Sequence, residues 1–257
     1  MAPGSAVQVA FACGMRFSAV DACHLTHPVY RDGVLHVLTT RDGDNKILPL
    51  AWAVCETESG DTYEYFADQC VQAGLGRYLN EKSVVFSDRQ KGLNKFHERF
   101  KAVTASCFKH IIANCRLKIR GTGTTFEDKI AWNLQMATTE PEYLQVLEQL
   151  RAYCPEGAAY FNDLPEHDQV FQYALNRDKV ATHGHKTSNV VEVTNAIWKE
   201  ARKNAPYRLN VVLLKWMGEK YAERVLRITK FMKEGHQFTK YCSDLWNTNV
   251  RIYITYM

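Results

Sequence analysis

The sequence predicts an α/β fold in which a mixed sheet is flanked by helices. Two short apolar stretches each run into an acidic residue, the first at Asp21 and the second at Asp88. Between them, two further apolar stretches are joined by a segment rich in turn formers, which is the pattern of a β-hairpin. Residues 111–180 then change to helical periodicity without a strand signal. These observations predict a sheet followed by an all-helical insertion.

The hairpin region supplies the first three predicted strands. Apolar residues predominate over residues 17–21, 33–40 and 47–55, and each stretch has the length of a strand. Residues 41–46, Arg-Asp-Gly-Asp-Asn-Lys, form the predicted turn between the second strand and the third. Residues 1–16 show little pattern, so we expect only a short lead-in there.

Helices and strands alternate after the hairpin. Asp61 is a candidate cap for a helix over residues 62–73. The apolar stretch that ends on Asp88 is the fourth strand, a helix is predicted near residues 91–100, and residues 102–107 form the fifth strand. The resulting order, β-β-β-α-β-α-β, resembles the ribonuclease H arrangement, whose first and fourth strands each carry an acidic residue.

The chain divides into five predicted segments. We expect a short lead-in over residues 1–16, the first part of a ribonuclease H-like core over 17–110, a helical insertion over 111–180, closing helices over 181–235 and a tail over 236–257. Apolar and polar residues alternate over residues 250–256, which predicts a strand in the tail.

Composition restricts the classes of protein to which the chain can belong. The chain has 257 residues, of which 46% are hydrophobic, enough for a substantial core. No apolar run reaches the roughly 18 residues that a membrane span needs, and the N-terminal residues lack the pattern of a secretory signal. Eight cysteines occur without a CxxC pair, so we expect free thiols in a reducing, intracellular setting.

Asp21 and Asp88 are the first candidates for catalysis. Ligands in α/β sheets collect at the carboxyl ends of strands, so both carboxylates are expected at such an edge. Neighbouring carboxylates repel each other unless a cation lies between them, and Mg²⁺ prefers carboxylate oxygens. For either residue alone the alternative stays open that Asp simply favours the turn after a strand.

Glu192 has two interpretations. It follows Asn189 by three residues, which is the spacing of a capping box at the start of a helix. From the spacing alone, capping is the favoured role, with catalysis as the alternative.

Basic residues concentrate after Asp88, although the net charge of the whole chain is only +4. Such a concentration beside candidate metal ligands suits a phosphate backbone, and the alternative is a solvated helical face. The candidate DNA-binding residues are Arg89, Lys91, Lys109, Arg116 and Lys118.

Several blocks of the sequence together resemble the catalytic domain of Mutator-like element transposases. In chain order the blocks are Asp21-Ala22-Cys23-His24-Leu25, Arg41-Asp42 with Pro49-Leu50-Ala51-Trp52-Ala53-Val54 and Glu56, Tyr63-Glu64-Tyr65-Phe66, Ser87-Asp88-Arg89-Gln90-Lys91-Gly92-Leu93, Cys107-Phe108-Lys109-His110 with Ala113-Asn114, and Ser188-Asn189 with Glu192 and Asn195. The resemblance covers residues 17–230, and the order and spacing of so many blocks make it specific.

The resemblance implies a ribonuclease H-like fold with an Asp-Asp-Glu triad, and by position the triad falls on Asp21, Asp88 and Glu192. The implied cofactors are two Mg²⁺ or Mn²⁺ ions about 3.5–4 Å apart. The implied reactions are hydrolysis of DNA at a transposon end and attack of the freed 3′-hydroxyl on target DNA. The implied partners are both DNAs and further copies of the chain, in the nucleus and without a membrane.

Cys107 and His110 match a further motif of that family, placed just after the fifth strand. A Cys and a His at this spacing are usually a core thiol beside a hydrogen-bonded imidazole. A second hypothesis is a zinc site of one cysteine and three histidines, in which His183 and His185 complete the set.

The resemblance also leaves an alternative to catalysis. Members of the family usually carry a DNA-binding module before the catalytic domain, and many carry a Cys/His zinc module after it. Here 16 residues precede the first predicted strand, and Cys242 stands alone near the end. The alternative is therefore a truncated or domesticated derivative that binds DNA or a partner without catalysis.

Overall fold

A computed structural model describes residues 1, 3–90, 92–120, 126–177 and 182–255. Its five strands form one mixed sheet in the order β3-β2-β1-β4-β5. β1 pairs antiparallel with β2, and β2 with β3, whereas β4 is parallel to both β1 and β5. The α/β class and the mixed sheet predicted from the sequence are therefore confirmed. The strands are β1 (Gly14–His24), β2 (Val34–Asp42), β3 (Ile47–Cys55), β4 (Val84–Ser87) and β5 (Val103–Ser106).

Helices flank the sheet, and the elements described over residues 108–120 and 126–177 are also helical. Among the helices that the structure describes, none combines the length and the apolar composition needed to cross a membrane. The helices are α1 (Gly4–Cys13), α2 (Gly60–Gln72), α3 (Leu93–His97), α4 (Phe108–Ile119), α5 (Asp128–Met136), α6 (Glu140–Tyr153), α7 (Pro155–Asn162), α8 (Gln172–Arg177), α9 (Asn189–Ile197), α10 (Pro206–Lys233) and α11 (Lys240–Thr255).

Local side-chain contacts explain where several elements begin. In the turn between β2 and β3, Asp42 Oδ1 accepts hydrogen bonds from the backbone N–H groups of Asp44 and Lys46, at 3.0 and 2.9 Å. Helix α2 is capped by Ser59, not by Asp61 as predicted. Ser59 Oγ accepts from the backbone of Thr62, whose hydroxyl in turn accepts from the backbone of Ser59.

The sheet has an apolar core on each face. One core joins Phe17, Ala19, Val84 and Phe86 to α9 and α10, and the other joins the alternate strand residues to α2 and α3. Because successive side chains of a strand point to opposite faces, Asp21 belongs to the face of Phe17 and Ala19. Asp88 is the first residue after β4, two positions beyond Phe86.

The helical block has a core of its own. The first turns of α4 and the helices α5 to α8 pack around aromatic and aliphatic side chains, among them Phe108, Leu147, Phe161 and Phe171. Phe108 contacts the rings of Trp132, Phe161 and Phe171. This core begins directly after β5, so the sheet and the helical block meet next to the strand ends.

Residues 1–16 are more ordered than the expected lead-in. They contain α1, in which Ala6 and Ala10 are buried, and β1 begins at Gly14 instead of residue 17. A Cβ atom at Gly14 would lie 2.7 Å from both the Ala10 carbonyl oxygen and the Tyr78 hydroxyl. Glycine is therefore required where the helix passes closely into the strand.

The predicted strand in the tail is wrong, because the structure has α11 over Lys240–Thr255. Thr239 starts this helix: its hydroxyl accepts from Cys242 N at 3.2 Å and donates to the Gly43 carbonyl at 2.6 Å. A lone terminal strand needs a neighbouring strand for its backbone groups, whereas a helix satisfies most of them within itself. The alternation of apolar and polar residues over 250–256 gave no information on the start of this helix at Thr239.

Candidate active site

The sheet register brings Asp21 and Asp88 side by side. Ala19 pairs with Phe86 across the parallel strands β1 and β4, and each acid lies two residues beyond its member of that pair. Burial, and next the neighbouring charge of Asp88, raise the pKa of Asp21 to about 7. The charge of Asp88 is therefore close enough to disfavour ionisation of Asp21.

Asn195 of α9 holds the Asp21 carboxylate. Its Nδ2 donates to Asp21 Oδ2 at 3.0 Å, while its buried Oδ1 has no hydrogen-bond partner within the described part of the chain. Arg202, which follows the same helix in the chain, links it to β1, because its Nη1 donates to the His24 carbonyl at 2.7 Å and its Nη2 donates to the Asn195 carbonyl at 3.5 Å. The amide nitrogen of Asn195 therefore fixes one carboxylate oxygen of Asp21. The amide oxygen of Asn195 remains free beside it as an acceptor.

Asp88 begins the loop after β4. Its Oδ1 accepts from Gln90 N at 3.0 Å, which is a local turn of the kind that Asp favours. Cys107 N donates to the Ser87 carbonyl at 2.8 Å, so the ends of β4 and β5 are joined. The turn that the alternative interpretation predicted for Asp88 is therefore formed, and a role of Asp88 in metal binding stays a prediction.

Glu58 is a further acid near the pair that the sequence reasoning missed. After burial and Asp88, its charge also contributes to the raised pKa of Asp21. Tyr63 of α2 donates from its hydroxyl to Glu58 Oε1 at 2.8 Å. No spacing rule distinguishes Glu58 from other acids after a strand; the signal available was its position shortly after the end of β3.

Glu192 lies in the first turn of α9, three residues before Asn195. Residues three apart share a helix face, so Glu192 is one turn from the residue that contacts Asp21. Its carboxylate forms an ion pair with Lys109 Nζ at 2.7 Å and accepts from Ser188 Oγ at 3.5 Å. The helix is capped at Ser188 and its first residue is Asn189, so the predicted capping box of Asn189 with Glu192 is not formed.

Cys107 and His110 lie beside Glu192. Cys107 is fully buried at the N-terminus of α4, and His110 follows in the first turn. Burial raises the pKa of the Cys107 thiol, but the nearby His110 and Ser188 outweigh burial, so the pKa lies below its ordinary value. The close Cys107 thiol in turn raises the pKa of His110 to about 9. The two shifts have opposite directions, as expected for a thiol and an imidazole that interact directly.

The structure does not form the zinc site of one cysteine and three histidines. The group of potential ligands that it gathers within the described residues is Cys107, His110 and Glu192, without His183 or His185. The ring of His185 instead stacks on Phe17 of β1, with centroids 3.8 Å apart. The pKa of His185 is lowered to about 4, mainly because the imidazole is buried. His183 is exposed in the preceding turn, with a φ of 52°.

The candidate DNA-binding residues make contacts within the protein. Arg89 pairs with Glu166 and donates to the Tyr160 hydroxyl at 3.0 Å, and Lys118 lies 5.5 Å from the centre of the Tyr160 ring. Lys109 pairs with Glu192, and Arg116 pairs with Asp128. Lys91 lies outside the described residues. Contact with phosphate stays a prediction for all five residues. The ion pairs described do not argue against it, because exposed ion pairs are weak and exchange readily.

No protein-family model matches this chain, and a search of curated proteins finds no match either.

Proposed function

We propose that this chain is the catalytic core of a DNA transposase of the Asp-Asp-Glu type, with a ribonuclease H-like fold. The observation that carries the proposal is the placement of Asp21 and Asp88, each two residues beyond the paired Ala19 and Phe86 of the adjacent parallel strands β1 and β4, with α9 seated on Asp21 through Asn195. The sheet order and the helices between β5 and α9 are compatible with this fold. Glu192 is the proposed third acid.

The donor set suits hard divalent cations. Asp21, Asp88 and Glu192 would hold two Mg²⁺ or Mn²⁺ ions, because these ions prefer carboxylate oxygens. Asp21 is mostly buried beside a second acid, and its hydrogen-bond partner Asn195 is neutral, so a bound cation would relieve the repulsion. When bound, such ions supply Lewis acidity to the phosphate and lower the pKa of a water molecule.

The remaining residues would orient the acids and the substrate. Asn195 keeps the Asp21 carboxylate in one orientation, and the ion pair between Lys109 and Glu192 links α4 to α9. The Lys109 side chain is 60% exposed, so it can exchange Glu192 for a DNA phosphate when substrate arrives. The proposed substrates are transposon ends and target DNA, which places the protein in the nucleus and favours an oligomer that holds two ends.

A plasmid-nicking assay tests the catalytic proposal without knowledge of the transposon ends. With Mn²⁺, the wild type is expected to convert supercoiled DNA to nicked circles that carry 3′-hydroxyl ends. Asp21→Asn and Asp88→Asn should reduce the rate at least about a thousandfold, because metal-assisted charge stabilisation amounts to several kcal/mol. Glu56→Gln is the matched control, since Glu56 is exposed after β3. Nicking that persists in both Asp variants would refute the assignment.

The second candidate is a transposase-derived protein that binds DNA or a partner without catalysis. The ion pair between Lys109 and Glu192 favours it, because the third acid already has a cation of the protein's own. Thermal unfolding with Mn²⁺ and gel-shift assays without metal separate the candidates. Mn²⁺ at about a hundred times its Kd should raise the stability of a working site by about 2.7 kcal/mol. DNA binding without nicking or Mn²⁺ stabilisation would favour the second candidate.

A further inference from the structure

A second donor set adjoins the proposed carboxylate site. Cys107 precedes the first residue of α4, and His110 lies three residues later, so both side chains project from the same side of the first turn. Glu192 approaches them from α9. The Cys107 sulfur, a ring nitrogen of His110 and a carboxylate oxygen of Glu192 all lie within 4.8 Å of one another.

Backbone hydrogen bonds hold the two contributing segments in place. Cys107 N donates to the Ser87 carbonyl at 2.8 Å, which fixes the start of α4 to the end of β4. Phe108 N donates to the Lys186 carbonyl at 3.1 Å, which fixes α4 to the segment before α9. The donors therefore converge from elements with fixed relative positions, as an ion-binding site requires.

Two other roles explain this cluster less well. A nucleophilic cysteine must reach its substrate, whereas Cys107 is 0% exposed. A purely structural thiol–imidazole pair does not account for Glu192, whose carboxylate oxygen lies within 4.8 Å of both the Cys107 sulfur and a ring nitrogen of His110.

We propose that Cys107, His110 and Glu192 form an open three-ligand site for Zn²⁺ or a similar borderline transition metal. One sulfur, one imidazole nitrogen and one carboxylate oxygen are typical zinc ligands, and three protein ligands leave the fourth position free. Bonds of about 2.0–2.3 Å in a tetrahedral ion place the ligand atoms about 3.5 Å apart. The side chains must therefore draw together by about 1 Å from their present limit of 4.8 Å.

Lys109 is the competitor for this site. Its ammonium group occupies Glu192 Oε2 at 2.7 Å, but its side chain is 60% exposed and can leave without disturbing the core. Metal binding would replace one cation at Glu192 by another. The site shares Glu192 with the proposed transposase centre, yet its existence does not depend on DNA cleavage.

Cobalt absorption tests the site directly, since Co²⁺ replaces Zn²⁺ and a thiolate ligand gives a charge-transfer band in the near ultraviolet. The reduced wild type is expected to show this band and to saturate at one equivalent. Cys107→Ser should abolish the band. His110→Gln and Glu192→Gln should weaken Co²⁺ binding by more than the roughly 10–100-fold that loss of an outer contact costs. Lys109→Ala should strengthen binding.

Two controls keep the outcome specific. Cys115→Ala removes another buried cysteine of α4, one that packs in the helical core, and should leave the band unchanged. Asp21→Asn should keep the band while losing stabilisation by Mn²⁺, which separates this site from the proposed transposase centre. A folded wild type without the band at millimolar Co²⁺, or a band that persists in Cys107→Ser, would overturn the proposal and leave the roles of Asp21 and Asp88 untouched.

Discussion

Asp42 and Asp21 are carboxylates on neighbouring strands, but the fold stabilises them in different ways. β1 and β2 are antiparallel and Asp42 pairs with Gly14, so the two acids lie towards opposite ends of the sheet. Asp42 is 4% exposed and forms an ion pair with Arg224 of α10 at 2.9 Å. Asp21 instead has a neutral hydrogen-bond partner and Asp88 beside it.

The difference is the one expected between a structural carboxylate and a functional one. At Asp42 the chain supplies both backbone donors and a guanidinium, so the charge is neutralised inside the fold. At Asp21 the chain supplies a second carboxylate, and burial followed by that charge raises the pKa of Asp21 to about 7. An acid whose neighbours include a second carboxylate and whose hydrogen-bond partner is a neutral amide is the kind of group that a functional site displays.

The largest expected effect comes from breaking the Asp42 end. Arg224→Met keeps most of the side-chain volume but leaves the Asp42 carboxylate buried without Arg224. Removing one partner of a buried pair costs about 3–5 kcal/mol, which urea denaturation would measure as a shift of the midpoint. Arg227→Ala is the matched control, because Arg227 lies 3.8 Å from Asp42, is 44% exposed, and should cost at most about 1 kcal/mol. Equal losses of stability in both variants would mean that the buried Asp42 carboxylate does not depend on Arg224.

The next effect has opposite signs at the two acids. In a chelating buffer near pH 8, Asp21→Asn should stabilise the chain by about 2 kcal/mol, because it removes the desolvation of the ionised group and its repulsion from Asp88. The new amide oxygen can still accept the hydrogen bond from Asn195. Asp42→Asn should destabilise the chain, since Arg224 loses its carboxylate. The check is urea denaturation of both variants; a loss of stability in both would mean that Asp21 is a structural acid as well.

The sheet half of the site was predictable from sequence because it depends on local pattern. The apolar run before Asp88 identifies the end of β4, whereas β1 continues past Asp21 to His24, contrary to the predicted strand end. Pairing of the parallel strands β1 and β4 then places the two acids together. The hairpin bounds were predictable for the same reason, since residues 41–46 are dense in turn formers. Each of these predictions needs only the residues of one element and its immediate neighbours.

The half of the site carried by helices and loops was less predictable, because it depends on distant packing. Asn195 was visible in a sequence block, but its bond to Asp21 spans 174 positions of sequence. His185 is close in sequence to Glu192, yet it stacks on Phe17, which removes it from the predicted zinc site. Ser59 and Asp61 are both favourable cap residues, and only the reciprocal bond with Thr62 decides between them.

The smallest expected effect concerns the contact that joins the two halves. Asn195→Ala removes the donor to Asp21 and should weaken Mn²⁺ binding about tenfold, the lower end of the usual cost of losing an outer contact to a metal ligand. Titrating the thermal stability with Mn²⁺ measures this Kd separately from the stability without metal.

Asn204→Ala provides the control for that prediction, because the amide of Asn204 donates to the Ala201 carbonyl instead of to an acid. It should lower the stability slightly and leave the Kd for Mn²⁺ unchanged. If Asn195→Ala behaved in the same way, Asn195 would only pack α9 against the sheet. A change in Kd confined to Asn195→Ala would mean that α9 orients the carboxylate that the sheet supplies.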